Sequence, residues 1–403
     1  MPIRLLFLNT RDHCGADVAV HLMMMKNFAP DEVEIYVISN SEAADAEDMR
    51  IRLADMPHVV STFLPLGKPS GALSKKSALG KALAYGPSLA SLASVAAFVR
   101  KHRIEVIHST DRPRDATYAC LLGQLTGAVS VVHMHAHTID LSRPTIWGLR
   151  NATAVFAVSD FIRFSLTIDF AVREEKIHTI YNAVDCDHFD PDRTFDGQSV
   201  VREQFGIPKT APLVGIAARM NPWKGHFELI GAVALLREAI PDLHLVILGA
   251  NVAEVRADLE AKAREGGVMD RIHFAGFQND VRPFLHEFDV FAHPSYGEPF
   301  GLSIAEAMAM RRPVIACNTG GVPEIITHGR DGWLVDERSA EGVAAGLTVL
   351  LQDEELRRRM GARARDTILN RFTPRQQCAA AARLYERLVA ATAPARVVSS
   401  TSL

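Results

Sequence analysis

Four charged residues in the second half of the chain have the types and spacing to handle a sugar joined to a diphosphate. In AARMNPWKGH (217–226), Arg219 closes an apolar run and Lys224 follows five residues later, before a helical pattern. Two fixed cations near one helix start suit a diphosphate, because the helix dipole and its free N–H groups add to the attraction. Each cation–anion contact is on the order of 4 kcal/mol at ~4 Å and an effective dielectric near ~20, before desolvation. That is enough to stand in for a magnesium ion. An Arg and a Lys on a solvated loop is the competing reading. In SYGEPFGLSIAEAMAM (295–310), Glu298 lies in a Gly/Pro loop and Glu306 falls about one turn inside the helix that starts near Gly301. The amides of Phe300, Gly301 and Leu302 form that helix start, an anion cradle with a carboxylate on each side to accept from sugar hydroxyls. A dipole-stabilising Glu and a second Glu on a polar face would also fit, although the AEAMAM run reads as buried and leaves Glu306 in need of a partner.

Two further segments are weaker by themselves. RIHFAGFQNDVRPFL (271–285) runs into Gly276-Phe277, where backbone groups are placed to read a nucleobase edge; a simple chain turn explains that glycine equally well. ACNTGGVPEII (316–326) has Gly320-Gly321 ahead of a helix led by Pro323, which permits a close backbone approach.

The elements that must position these residues are short apolar runs alternating with amphipathic stretches. Strands are expected at 3–9, 33–39, 104–109, 129–135, 154–159 and 178–184, then at 213–218, 243–248, 271–274, 290–292, 313–316 and 332–335. Helical patterns between them imply parallel β-α-β units and two doubly wound α/β domains. Ligands of such sheets bind beyond the carboxyl ends of the strands, where the residues above fall. An Asp/Pro/Gly-rich stretch at 185–211 breaks the rhythm, and the domain boundary is placed at 190/191. The expected domains are 1–190 and 191–372, followed by a last helix within 373–392 and a small, polar, disordered tail at 393–403.

Composition narrows the rest. The chain has 403 residues, 48% hydrophobic and 23% charged, with a net charge of -3, so no global basic field calls for nucleic acid. Five scattered cysteines read as free thiols in a reducing compartment, against a disulfide scaffold or a structural zinc site. MPIRLLFLNT lacks a cleavage site and reads as a first strand, so the expected location is the cytosol. Residues 79–99 contain Lys81, a Gly86-Pro87 break and Ser88, Ser91 and Ser94 at helical spacing, which reads as a surface helix with a polar face. His133, His135 and His137 alternate and share one face, but no neighbouring carboxylate or cysteine completes a metal site, so no metal ligand is expected.

Together the segments resemble glycosyltransferase family 4, retaining enzymes of the two-domain GT-B fold. The match runs over 213–335 in the order Arg…Lys-Gly, GF…DV, PS…EPFGL…EAMA, PVIA…GG-PE-I, and the combination is far more specific than any one element. VVHMH, FAVSD and IYNAVD in the first half follow the family order. The resemblance implies two Rossmann-like domains facing each other across a cleft, with the closing helix crossing back to the first. It implies that Arg219 and Lys224 hold the donor diphosphate, Glu298 contacts the donor sugar and Glu306 the ribose. Phe300, Gly301 and Leu302 would offer amides, Phe277 would lie at the base, His135 near the reacting carbon, and Gly15 would approach the donor from the first domain. Three positions depart from the family: Cys14 and Ala218 stand where Gly is common, and Ala183 where Asn-Gly is common, at a backbone cost if the turn is kept.

The resemblance further implies retention of configuration, with no cofactor and a nucleotide-diphosphate-sugar as donor substrate. Glu298 and Glu306 are then not a hydrolase acid–base pair. The acceptor is not legible. Residues 63–103 carry Lys68, Lys75, Lys76, Lys81, Arg100, Lys101 and Arg103 among apolar residues. They read either as a loop and an ordinary amphipathic helix or as a peripheral contact with an anionic inner membrane face. A nucleotide-sugar 2-epimerase and a non-catalytic nucleotide-sugar-binding protein are the rival functions; the Glu298/Glu306 pattern speaks against the first and the full set of four charges against the second.

Overall fold

The computed structural model describes residues 1–10, 16–66, 78–136, 141–193, 200–336 and 338–392. Runs such as LVGIA, HLVIL and VIAC have almost every residue buried, as strands covered by helices on both faces must be. They build two parallel sheets in two compact units, Met1–Tyr181 with Pro374–Leu403, and Asn182–Thr373.

In unit 1, β1 (Ile3–Asn9), α1 (Ala16–Asn27), β2 (Val33–Asn40), α2 (Ala46–Ala54), β3 (Val59–Leu64), α3 (Ala78–Lys101), β4 (Val106–Thr110), α4 (Pro113–Thr126), β5 (Val129–Met134), α5 (Arg143–Asn151), β6 (Ala154–Ala157), α6 (Asp160–Ile168) and β7 (Ile177–Thr179) alternate. The sheet order is β3-β2-β1-β4-β5-β6-β7, all parallel. In unit 2, α7 (Val200–Phe205), β8 (Leu213–Ala217), α8 (His226–Leu235), β9 (His244–Leu248), α9 (Ala253–Glu265), β10 (Ile272–Gly276), α10 (Arg282–Glu287), β11 (Val290–His293), α11 (Leu302–Ala309), β12 (Val314–Cys317), β13 (Trp333–Val335), α12 (Ala340–Gln352) and α13 (Glu354–Arg371) repeat the pattern. The order there is β10-β9-β8-β11-β12-β13. Each sheet reverses its winding once, between β1 and β4 and between β8 and β11, and such switch points open a crevice at the strand ends.

The last helix, α14 (Pro374–Thr392), belongs to unit 1, where the Cys378 thiol donates to the Met24 carbonyl at 3.4 Å and the Tyr385 hydroxyl lies 2.6 Å from His108 Nδ1. The units divide at Tyr181/Asn182, ahead of the 190/191 boundary expected from composition. The intervening segment docks on unit 2: Val184 N–H donates to Phe372 O at 2.8 Å, Arg365 to Phe189 O at 2.9 Å, and Arg311 to Asp192 at 2.6 Å.

Three local expectations change. Strand β3 was not anticipated; it is an edge strand with only Val59 buried, so its apolar signal is diluted. Helix α3 runs through Gly86-Pro87, and Ser91 is buried with its hydroxyl donating to Pro65 O at 3.1 Å, so the serine face is not uniformly polar. Ala183 has no left-handed backbone, so the family's Asn-Gly turn is replaced without the expected strain. Four cysteines, 120, 186, 317 and 378, are free and buried, while Cys14 lies outside the described residues. Among the described residues no helix is long and apolar enough to cross a membrane. Residues 67–77 of the basic stretch and the tail at 393–403 lie outside the described residues.

Candidate active site

The switch point of unit 2 brings together two of the four charges. Lys224 ends a single turn, Pro222–Lys224, just beyond β8, and Glu298 sits in the loop beyond β11. The Lys224 ammonium donates to Glu298 Oε2 at 2.6 Å across 74 residues of sequence. Backbone packing makes that possible. Gly225 has φ +82°, and a Cβ there would come within 2.2 Å of the Pro294 carbonyl oxygen. Tyr296 N–H donates to Trp223 O at 2.9 Å, which ties the two loops together. Arg338 braces the turn from behind, donating to Pro222 O at 2.5 Å and pairing with Glu228 at 2.8 Å.

Gly320-Gly321 has a role that the sequence only partly suggested. The close approach it permits is to the protein itself: at Gly320, φ +66°, a Cβ would meet Glu298 O at 2.4 Å and Glu298 N at 2.8 Å. Gly321 N–H then donates to Glu298 O at 2.8 Å. The glycine pair therefore clamps the loop that carries the carboxylate.

Glu298 is 9% exposed, and burial opposes its ionisation. The hydrogen bond and charge of His293, and the charge and hydrogen bond of Lys224, outweigh burial and hold the pKa down to about 2. His293 is itself fully buried, which lowers its pKa, so at neutral pH the surviving counter-charge is Lys224. His293 Nε2 stands 3.5 Å from Oε2, and the Ser295 hydroxyl donates to that oxygen at 3.1 Å. Ser303 and His293 Nδ1 are 3.1 Å apart, which fixes the ring. His293 and Ser295 were not singled out by sequence, although both lie in the AHPSYGEPFG run that carries Glu298.

Arg219 is exposed at the end of β8 and makes no ion pair with a described residue. Ala218 stands where family members carry Gly, and the close approach comes instead from Gly249 beyond β9: φ is +142°, and a Cβ would come within 2.0 Å of the Ala218 oxygen. Gly249 N–H donates to Gly276 O at 2.8 Å, so the ends of β8, β9 and β10 are tied in a row. The Phe277 ring, just past β10, is 70% exposed. Phe300 is buried, edge-on to Phe372 with centroids 5.6 Å apart, so its side chain belongs to the core and only its backbone can face a ligand. Gly301 has φ +102° and caps α11; Leu302 opens the helix, and Glu306 lies one turn on, on the same face. The Glu306 carboxyl has no hydrogen-bond partner among the described residues, and burial raises its pKa to about 7.

Unit 1 sets His135 just beyond β5. Its N–H and that of Ala136 both donate to Asp111 Oδ2, at 3.0 and 3.1 Å, and Asp111 is buried beyond β4. Gly15 and His137 lie outside the described residues. A separate cavity of about 440 Å³ in unit 1, lined by Arg163, His178, Arg383 and Arg387 among others, contains none of the predicted site residues.

Two doubly wound parallel sheets, with a cation–carboxylate pair at the switch point of the second, define the class: the GT-B fold of the glycosyltransferases. Two family profiles divide the chain, Glycosyltransferase Family 4 over residues 20–188 and Glycosyl transferases group 1 over 198–367. The lipopolysaccharide core biosynthesis glycosyltransferase LpsE of Rhizobium meliloti is 36% identical over 43% of this chain, and the match spans only half of that relative's length. N-acetyl-alpha-D-glucosaminyl L-malate synthase of Bacillus anthracis is 28% identical over 72% of this chain and 76% of its own. The crystal structure of Anabaena Alr3699/HepE in complex with UDP and glucose superposes with a TM-score of 0.76 at 21% identity, covering 95% of this chain and 99% of that one. The chain belongs to glycosyltransferase family 4.

Proposed function

We propose that the protein transfers a sugar from a nucleotide-diphosphate-sugar to an acceptor with retention of configuration and without a metal ion. The Lys224–Glu298 pair at the switch point carries this reading. Lys224 has three donors and spends one on Glu298, which leaves two for phosphate oxygens. Arg219, exposed at the neighbouring strand end, supplies the second positive charge. As the bond between phosphate and the anomeric carbon breaks, negative charge grows on the departing diphosphate, and fixed cations stabilise it without reorganisation. Glu298, ionised at neutral pH, accepts from hydroxyls of the donor sugar, and Glu306 accepts from the ribose. Ribose hydroxyls favour the ionised form of Glu306, so donor binding tightens as pH rises through about 7.

To His135 of the first unit we assign the place near the reacting carbon that the family resemblance implies for it; Asp111 accepts from its backbone N–H. UDP-sugars are the first donors to test, because UDP is the nucleotide bound in the HepE structure. The test is turnover of nucleotide sugars by the purified chain, with and without EDTA, and proton NMR of the product anomer. Turnover that is unaffected by EDTA and lost on Glu298→Ala supports the assignment. Full turnover by a folded Glu298→Ala protein overturns it, and an inverted anomer removes retention.

A further inference from the structure

One cluster in unit 1 enters the transfer chemistry only through His135. His21 on α1 meets His133 and His135 at the end of β5, with ring centroids 5.5 and 5.4 Å from His21 and 4.0 Å between the latter two. One ring nitrogen from each lies within 4.8 Å of the others. His21 is 4% exposed and His133 is 0%, and the Nε2 of each is buried with no hydrogen-bond partner. Buried polar atoms of this kind are rare in native proteins and call for a cause.

The rings are kept neutral. Burial, then the neighbouring His135, lowers His21 to about 3, and burial also lowers His133 and His108 well below the usual range. Neutral imidazole is the form that ligates metal. The surroundings also supply the outer partners that metal-bound histidines need. His133 Nδ1 is 3.2 Å from His108 Nε2, and His108 Nδ1 is 2.6 Å from the Tyr385 oxygen. When Tyr385 accepts from His108 Nδ1–H, His108 Nε2 accepts from His133 Nδ1–H, and the lone pair of His133 Nε2 then faces the cluster. Asp17 is buried and adds negative potential at His21 while pairing with Arg112 at 3.5 Å.

We propose that His21, His133 and His135 together bind a divalent transition-metal ion such as zinc, through one ring nitrogen each, leaving a fourth position open. Three imidazoles without an oxygen ligand suit zinc, copper, nickel or cobalt and reject magnesium. Zinc–nitrogen bonds of ~2.0–2.1 Å in a tetrahedron set the nitrogens roughly 3.4 Å apart, so the widest separation closes by roughly 1.4 Å, within reach of side-chain rotation. This site shares no residue with the Lys224–Glu298 pair, and a metal there is not a cofactor for transfer. It occupies His135, so an inhibitory effect follows, and only that effect rests on the role given to His135 above.

The test uses the full chain free of any histidine tag. Cobalt is titrated and its visible ligand-field bands are followed, zinc is added to displace it, and X-ray absorption counts the zinc ligands. The expected result is one ion per chain, a three-imidazole shell, no displacement by excess magnesium, and at least ~100-fold weaker binding by His21→Gln with an unchanged circular dichroism spectrum. A zinc shell with fewer than two imidazoles, or wild-type affinity in His21→Gln, overturns the site. Should His21→Gln fail to fold, the ligand count on the wild-type chain decides. Tight zinc binding with undiminished transfer keeps the site and removes His135 from the reacting centre.

Discussion

The two units solve the same problem, holding polar groups at the carboxyl end of a parallel sheet, in opposite ways. Unit 2 keeps its groups charged: Lys224 and Glu298 are paired at 2.6 Å, with Ser295 and His293 around the carboxylate. Unit 1 keeps His21, His108 and His133 neutral by burial, linked through Tyr385 to α14. A paired charge tolerates burial because its partner offsets the lost hydration; an unpaired imidazole tolerates it by giving up its proton. The first arrangement suits a charged ligand such as a diphosphate, the second a group that needs a free lone pair.

Breaking the pair in unit 2 should have the largest effect. Lys224→Met should lower turnover by about 10³-fold and, by leaving Glu298 buried without its cation, cost about 3 kcal/mol of stability. The double variant Lys224→Met/Glu298→Gln should recover most of that stability and none of the turnover, as read by urea unfolding and donor assays. If the double variant is no more stable than the single one, the pair is not what keeps unit 2 charged.

Acid should then separate the units. His21 sits at about 3 in the folded chain against an ordinary 6.5, so its contribution is complete above 6.5 and is lost as pH falls toward 3. Glu298, at about 2 against 4.5, holds its contribution down to 4.5 and loses it toward pH 2. Glu306, raised to about 7, runs the other way: its cost appears as pH rises from 4.5 through 7 and disappears on acidification. Unit 2 loses stability over the same range through His226 and His273, each lowered to about 4, but is partly relieved by Glu306, so unit 1, with His21, His108 and His133, should unfold at the higher pH. Trp147 reports on unit 1, and Trp223 and Trp333 on unit 2, so fluorescence of Trp147→Phe against Trp223→Phe/Trp333→Phe resolves the order. Coincident transitions would remove the contrast.

Gly320→Ala tests the clamp. A left-handed backbone and a Cβ directed at the Glu298 peptide should cost about 2–3 kcal/mol, with a raised KM for donor where the variant folds. A neutral substitution would show that the loop is positioned by something else. The smallest expected change is Tyr385→Phe, which removes one buried hydrogen bond to His108 and should lower stability by about 1 kcal/mol in thermal unfolding while leaving donor turnover unchanged.

Much of the fold was legible because strands covered on both faces read as continuous apolar runs, and those runs set the β-α alternation. Strand β3 escaped because an edge strand with one buried residue lacks that signal. Ser91 was assigned to a polar face from its spacing, yet Pro65 O offers it a buried partner that helical periodicity does not encode. The site was legible as a set of residue types in a family order. Its internal wiring was not: the close approach that Gly320 permits is to the Glu298 peptide, and the Phe300 ring packs edge-on against Phe372.

The sequence by itself determined the alternating elements, the positions of Arg219, Lys224, Glu298 and Glu306 beyond strand ends, and membership of a family. The tertiary structure decided which of those groups touch and in what charge state. Lys224 reaches Glu298 over 74 residues, and His21 reaches His133, only because the sheet order sets distant strand ends side by side. Local periodicity carries burial and hydrogen-bonding preference within an element; the desolvation and pairing that fix a pKa come from neighbours that are remote along the chain.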